Sequence, residues 1–137
     1  MRNNTIRLTK AQASIQEWRK TVDILVQQVQ DWSKNAPGWQ LELFPNEVRE
    51  EELGTYFVPV LEIKMDEGEV TLEPVPRRSP DDEIRAYLKA WPTLSRVRLA
   101  YAPEQNTWEV TAANVPLRIA WNESNFRRLV KDLLTTP

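Results

Sequence analysis

The apolar residues Ala11, Ile15, Trp18, Val22, Leu25, Val29 and Trp32 recur at alternating spacings of four and three. That rhythm keeps them on one stripe of an α-helix. Thr9 followed by Gln12 has the form of a capping box, Leu8 and Ala13 are spaced as a hydrophobic staple, and Asn35-Ala36-Pro37-Gly38 supplies a stop. The pattern predicts a helix near residues 9–35. Ile24 and Val26 widen the stripe beyond the narrow seam of a coiled coil, which favours docking on a sheet over pairing with another helix.

Beyond Gly38 the period changes to two. Trp39-Gln40-Leu41-Glu42-Leu43 alternates as a half-buried strand should, and Pro45 with the charged stretch from Glu47 to Glu52 is expected to break it. Thr55 to Met65 and Val70 to Val75 flank Asp66-Glu67-Gly68-Glu69 and predict a hairpin, with Gly68 supplying a positive φ. Pairing Met65 with Val70 and Ile63 with Leu72 gathers the apolar side chains on one face and sets Glu62 against Glu73. A second hairpin is better determined. Tyr101 with Trp108, Leu99 with Val110 and Val97 with Ala112 turn inward together around the loop Pro103-Glu104-Gln105-Asn106, leaving Arg96, Arg98 and Glu109 outside.

Between the hairpins, Ser79-Pro80-Asp81-Asp82 resembles an N-cap, an N1 proline and an acidic first turn, and Ile84, Tyr87, Leu88 and Trp91 follow at helical spacing. A helix is therefore expected there, although Ile84, Ala86, Leu88 and Ala90 also fit a strand over residues 80–91. Leu117, Ile119 and Trp121 read as a short strand. Asn122 then caps a final helix with the apolar stripe Phe126, Leu129, Val130 and Leu133. The expected fold is a single α+β domain over residues 1–137: an antiparallel β-meander with a long N-terminal helix and a C-terminal helix packed on one face.

Composition narrows the chemistry. Among 137 residues there is no His and no Cys, so imidazole acid–base catalysis, His-dependent triads, thiol nucleophiles and N/S zinc sites are excluded. Gly38, Gly54 and Gly68 are isolated, which rules out a P-loop or a Rossmann fingerprint. No serine begins an S-x-x-K motif. Met1 to Lys10 carries no apolar leader core, and the longest apolar run, Tyr56 to Leu61, is too short to span a bilayer. The expected location is cytoplasmic, with no cofactor and no metal.

Charge is distributed unevenly. Residues 42–83 carry 13 acids against Arg49, Lys64, Arg77 and Arg78, a net of −9, while residues 1–41 carry +3 and residues 84–137 carry +4. Either the fold interleaves these segments, or it leaves a bipolar surface for a charged partner.

Of six tryptophans, Trp18, Trp32, Trp39 and Trp108 fall on the apolar phase of their elements and are expected in the core. Trp91 and Trp121 stand at element ends and, with Arg96 and Arg98, form the candidate binding set. Glu62-Ile63-Lys64 resembles the E-x-K half of the PD-(D/E)XK nuclease motif, in which a strand-borne carboxylate holds a divalent metal and the lysine activates water. The resemblance implies an upstream acid, for which Glu47 or Glu50 is the candidate because Asn46 stands where Asp is expected. Arg96, Arg98, Arg118, Arg127, Arg128 and Lys131 raise nucleic-acid binding, but a pI near 5.3 argues against a dedicated binder. The leading expectation is a non-catalytic interaction module that binds a protein partner or itself. A metal-dependent nuclease-like protein or subunit and a nucleic-acid-binding protein are the alternatives.

Overall fold

The computed structural model describes residues 2–51, 53–77 and 82–136, with the backbone alone for residues 2–11. The chain runs α1 (Arg2–Lys34), β1 (Gln40–Glu50), β2 (Gly54–Met65), β3 (Gly68–Pro74), β4 (Arg85–Trp91), β5 (Arg96–Ala102), β6 (Thr107–Ala112), β7 (Val115–Pro116) and α2 (Glu123–Thr135). The seven strands form one antiparallel sheet in strict chain order, and both helices pack on one face of it. This is the expected α+β meander.

The stripe on α1 behaves as its spacing requires: Trp18, Val22, Leu25 and Val29 are fully buried, and Ile15 and Trp32 pack at the margin. Val26 joins the core whereas Ile24 stays exposed. The helix begins at Arg2 and not near residue 9, because neither Pro nor Gly interrupts the sequence from Arg2 to Lys34. Thr9 therefore lies inside the helix; the side chains of the expected capping box and staple at Leu8 and Thr9 lie outside the described residues. On α2, Asn122 accepts the Asn125 backbone N–H at 2.9 Å, and Phe126, Leu129, Val130, Leu133 and Leu134 are buried.

Three strand expectations are corrected. β1 continues through Pro45 to Glu50, since an edge strand tolerates a missing N–H on its open side. Residues 85–91 form β4 and not a helix. A strand there fills the gap between β3 and β5 and buries Ile84, Ala86, Leu88 and Ala90, so tertiary pairing overrides the helical spacing. The proposed cap at Ser79, Pro80 and Asp81 lies outside the described residues. Finally, Leu117, Ile119 and Trp121 are half-buried without belonging to a strand: the last strand is Val115–Pro116, and Arg118 takes φ +53°.

The β5–β6 hairpin has the expected register, Leu99 opposite Val110 and Tyr101 opposite Trp108. The β2–β3 hairpin is shifted by two residues from expectation: Met65 faces Gly68, Ile63 faces Val70, and Glu62 faces Thr71 rather than Glu73. A shift of two preserves the face of every side chain, so the pattern of burial could not distinguish these registers. The shift also explains where the pairing ends. One step of the same face beyond Leu61–Leu72 would set Pro59 against Pro74, and neither has an N–H to continue the ladder. Pro59 also faces Pro45 of β1. Below this proline row β1 and β2 continue as a two-stranded ribbon, which twists more freely than a broad sheet. The buried side of β2 switches accordingly, from Leu61 and Ile63 to Tyr56 and Val58.

Candidate functional site

Alternation along β2–β6 sends one set of side chains under the helices and the other to the opposite face of the sheet, which neither helix covers. Because spatial order equals chain order, the charge asymmetry of the sequence becomes an asymmetry across this outer face. Glu42 on β1, Glu62 on β2, and Glu69 and Glu73 on β3 stand on one half, with Lys64 the cation among them. Arg85 and Lys89 on β4 and Arg96 and Arg98 on β5 stand on the other, with Glu109 on β6 the acid among them.

Aromatic residues sit among the cations. The Arg96 guanidinium lies 5.3 Å from the centre of the Tyr87 ring and Lys89 Nζ lies 5.9 Å from it, both within cation–π range. Trp91 is 63% exposed at the end of β4, and Leu94 in the following turn is 78% exposed. They border a shallow groove of about 480 Å³ with Glu69, Thr71, Glu73 and Lys89. Lys89 reaches Glu73 across the β3–β4 boundary at 3.0 Å. Arg85 Nε and Arg98 Nε are buried and meet no hydrogen-bond acceptor among the described residues.

Trp91, Arg96 and Arg98 of the expected binding set thus come together on one face, and Trp121 does not join them. Its ring packs on Trp32 at 5.3 Å and Phe126 at 5.9 Å beneath the sheet, and its Nε1 donates to Gln28 Oε1 at 3.2 Å. Tyr87, Lys89 and Arg85 escaped sequence reasoning because a helical reading of residues 84–91 scatters them around an axis. The strand alternation at Ile84, Ala86, Leu88 and Ala90 was the signal that places them.

Glu62 and Lys64 also lie on the outer face, 4.0 Å apart, with Glu42 directly opposite Glu62 in the ladder. Glu47 is not brought to them. It pairs with Phe57, five residues along β2 from Glu62, or about 17 Å at the usual strand rise. Its near neighbour is Arg49 at 3.7 Å. Among the described residues no group of three or more His, Cys, Asp or Glu is placed to hold a metal ion.

Two other surface features are less focused. A groove of about 850 Å³ lies beside α1, bordered by Glu17, Ile24, Arg77, Tyr101 and Trp121. The buried cation in it serves the fold, because Arg77 donates to the carbonyls of Ser14 and Asp82, each at 3.1 Å, and lies 3.6 Å from Glu17. These contacts tie the segment after β3 to α1. The β1–β2 ribbon exposes Leu43, Phe44 and Phe57 beside Pro45 and Pro59. No described helix is long and apolar enough to cross a membrane. Comparison with protein-family models, with curated proteins and with solved structures gives no match to this chain.

Proposed function

We propose that this chain is a non-catalytic interaction module of the cytoplasm that binds a protein surface through the outer face of its sheet. The observation that carries this reading is the sorting of charge on that face, acids on β1–β3 and cations on β4–β5, around the exposed Trp91. Sorted charge steers a complementary surface and sets its orientation, and an exposed Trp beside arginines is the composition of an interface centre. The test compares complexes recovered with the unmodified chain and with a Trp91→Ala, Arg96→Glu, Arg98→Glu variant that keeps its melting temperature. Loss of the complex in the variant supports the reading; a complex indifferent to all three changes overturns it.

The nuclease-like alternative has a separate readout. Mg²⁺ or Mn²⁺ is expected to leave the melting temperature of the unmodified chain unchanged. A metal-induced rise that vanishes in Glu62→Ala would establish a bound ion and replace the present reading, since only a ligand of the folded state stabilises it.

A further inference from the structure

Resting on that proposed role of the outer face, we infer that its partner is a second copy of this chain, docked face to face about a two-fold axis parallel to the strands. The reason is the geometry of the charge. An in-plane axis along the strands, placed at the β3–β4 boundary, carries β3 over the partner's β4 and β2 over the partner's β5. The acids of β2 and β3 then cover the cations of the partner's β4 and β5. An in-plane axis perpendicular to the strands would lay acid on acid and cation on cation. Only the first arrangement makes the face complementary to itself, as a two-fold interface requires.

The register adds a specific contact. Glu62 faces Thr71, Thr71 faces Lys89 and Lys89 faces Arg96, so these four residues occupy one row across the sheet. Rotation about an axis parallel to the strands preserves height along them, so Glu62 meets the partner's Arg96, and Arg96 meets the partner's Glu62. Trp91 and Glu69 share the next row, which brings the exposed indole of each copy over the partner's Glu69 and its groove.

The size of the face sets the strength. Six strands at about 4.8 Å spacing and about 20 Å of shared length give a projected footprint of roughly 500 Å² per copy. That is the scale of a transient complex, in which charge contributes a large share and salt acts strongly.

The experiment is a charge swap on the full chain, read by sedimentation and native mass spectrometry at tens of micromolar protein. In about 0.02 M salt the unmodified chain is expected at twice its 16.0 kDa mass, and in about 0.5 M salt it is expected to revert to 16.0 kDa. A Glu42→Lys, Glu62→Lys variant and an Arg96→Glu, Arg98→Glu variant should each be monomeric alone and form a one-to-one dimer when mixed. Recovery on mixing shows that both variants are folded; the milder Glu62→Gln and Arg96→Gln should each weaken the dimer several-fold. A monomer at low salt, or no recovery on mixing, overturns the inference. If the chain is monomeric but the same variants lose a different protein, the second copy is wrong while the interaction face stands. If the Arg96 and Arg98 changes instead abolish binding of a single-stranded oligonucleotide probe by a monomeric chain, both readings fall in favour of a nucleic-acid ligand.

Discussion

Lys89 Nζ lies 3.0 Å from Glu73 Oε2, across the strand boundary at which the acidic half of the sheet meets the cationic half. Both side chains are more than two-fifths exposed. Water and salt therefore screen the pair, and a double-mutant cycle with Ala is expected to give a coupling of about 0–1 kcal/mol, shrinking as salt is added. A coupling of several kcal/mol would mean that the seam is a buried structural element and not part of an open face.

The core of α1 offers a sharper contrast between adjacent residues. Leu25 is fully buried whereas Ile24 is 53% exposed. Leu25→Ala removes packed methyl groups from the centre of the helix–sheet interface and is expected to cost about 2–5 kcal/mol. Ile24→Ala should stay within about 0.5 kcal/mol. Denaturant unfolding of both variants checks the pair, and equal costs would show that α1 meets the sheet with another face.

Gly68 occupies the end of the β2–β3 turn with φ +151°, and a Cβ there would run into the backbone carbonyl of Trp91. Gly38 also has a positive φ, +81°, but a Cβ there meets nothing within 4 Å. Gly68→Ala therefore combines backbone strain with a close contact between two strands, for an expected cost of about 1–3 kcal/mol. Gly38→Ala carries only the left-handed penalty, about 1 kcal/mol. Thermal unfolding should rank Gly68→Ala as the less stable.

How much of this was legible in the sequence depended on whether one arrangement alone satisfied the pattern. Tyr101, Leu99, Trp108 and Val110 fixed the β5–β6 register because a short loop and two apolar sets left one solution. The β2–β3 hairpin gave the correct faces but not the offset, because registers two residues apart bury the same side chains. Residues 84–91 satisfied helical and alternating periods together, since Ala86 and Ala90 are small enough to be silent in either; pairing with β3 and β5 decided it. Charge segregation was visible in the composition of residues 42–83, but its meaning was not. Interleaved strands would have neutralised it, and only the strict meander order spreads it across one face. Arg96 and Arg98 were recognised as outward, while their neighbours Tyr87 and Lys89 were lost with the helical reading of β4.

Tyr56 gives the fold an alkaline signature. Its ring meets Trp18 edge-on at 5.2 Å and its hydroxyl donates to the Arg77 carbonyl at 2.7 Å. Burial, with the negative charge of Glu50 second, holds the phenol above its ordinary value of 10.0. The folded state thus keeps this proton more tightly than the unfolded chain does. The associated stability is fully present below about pH 10, where both states are protonated, and falls as pH rises through the folded-state value. Tyr56→Phe cannot ionise, so its stability should lose the part of the alkaline decline that Tyr56 causes. At neutral pH the variant should be weaker by about 0.5–1.5 kcal/mol, for the lost hydrogen bond to the segment that Arg77 anchors. Denaturant unfolding of both proteins from neutral pH to about pH 11 separates the two effects. Parallel curves across that range would show that Tyr56 gains no extra protection for its proton on folding.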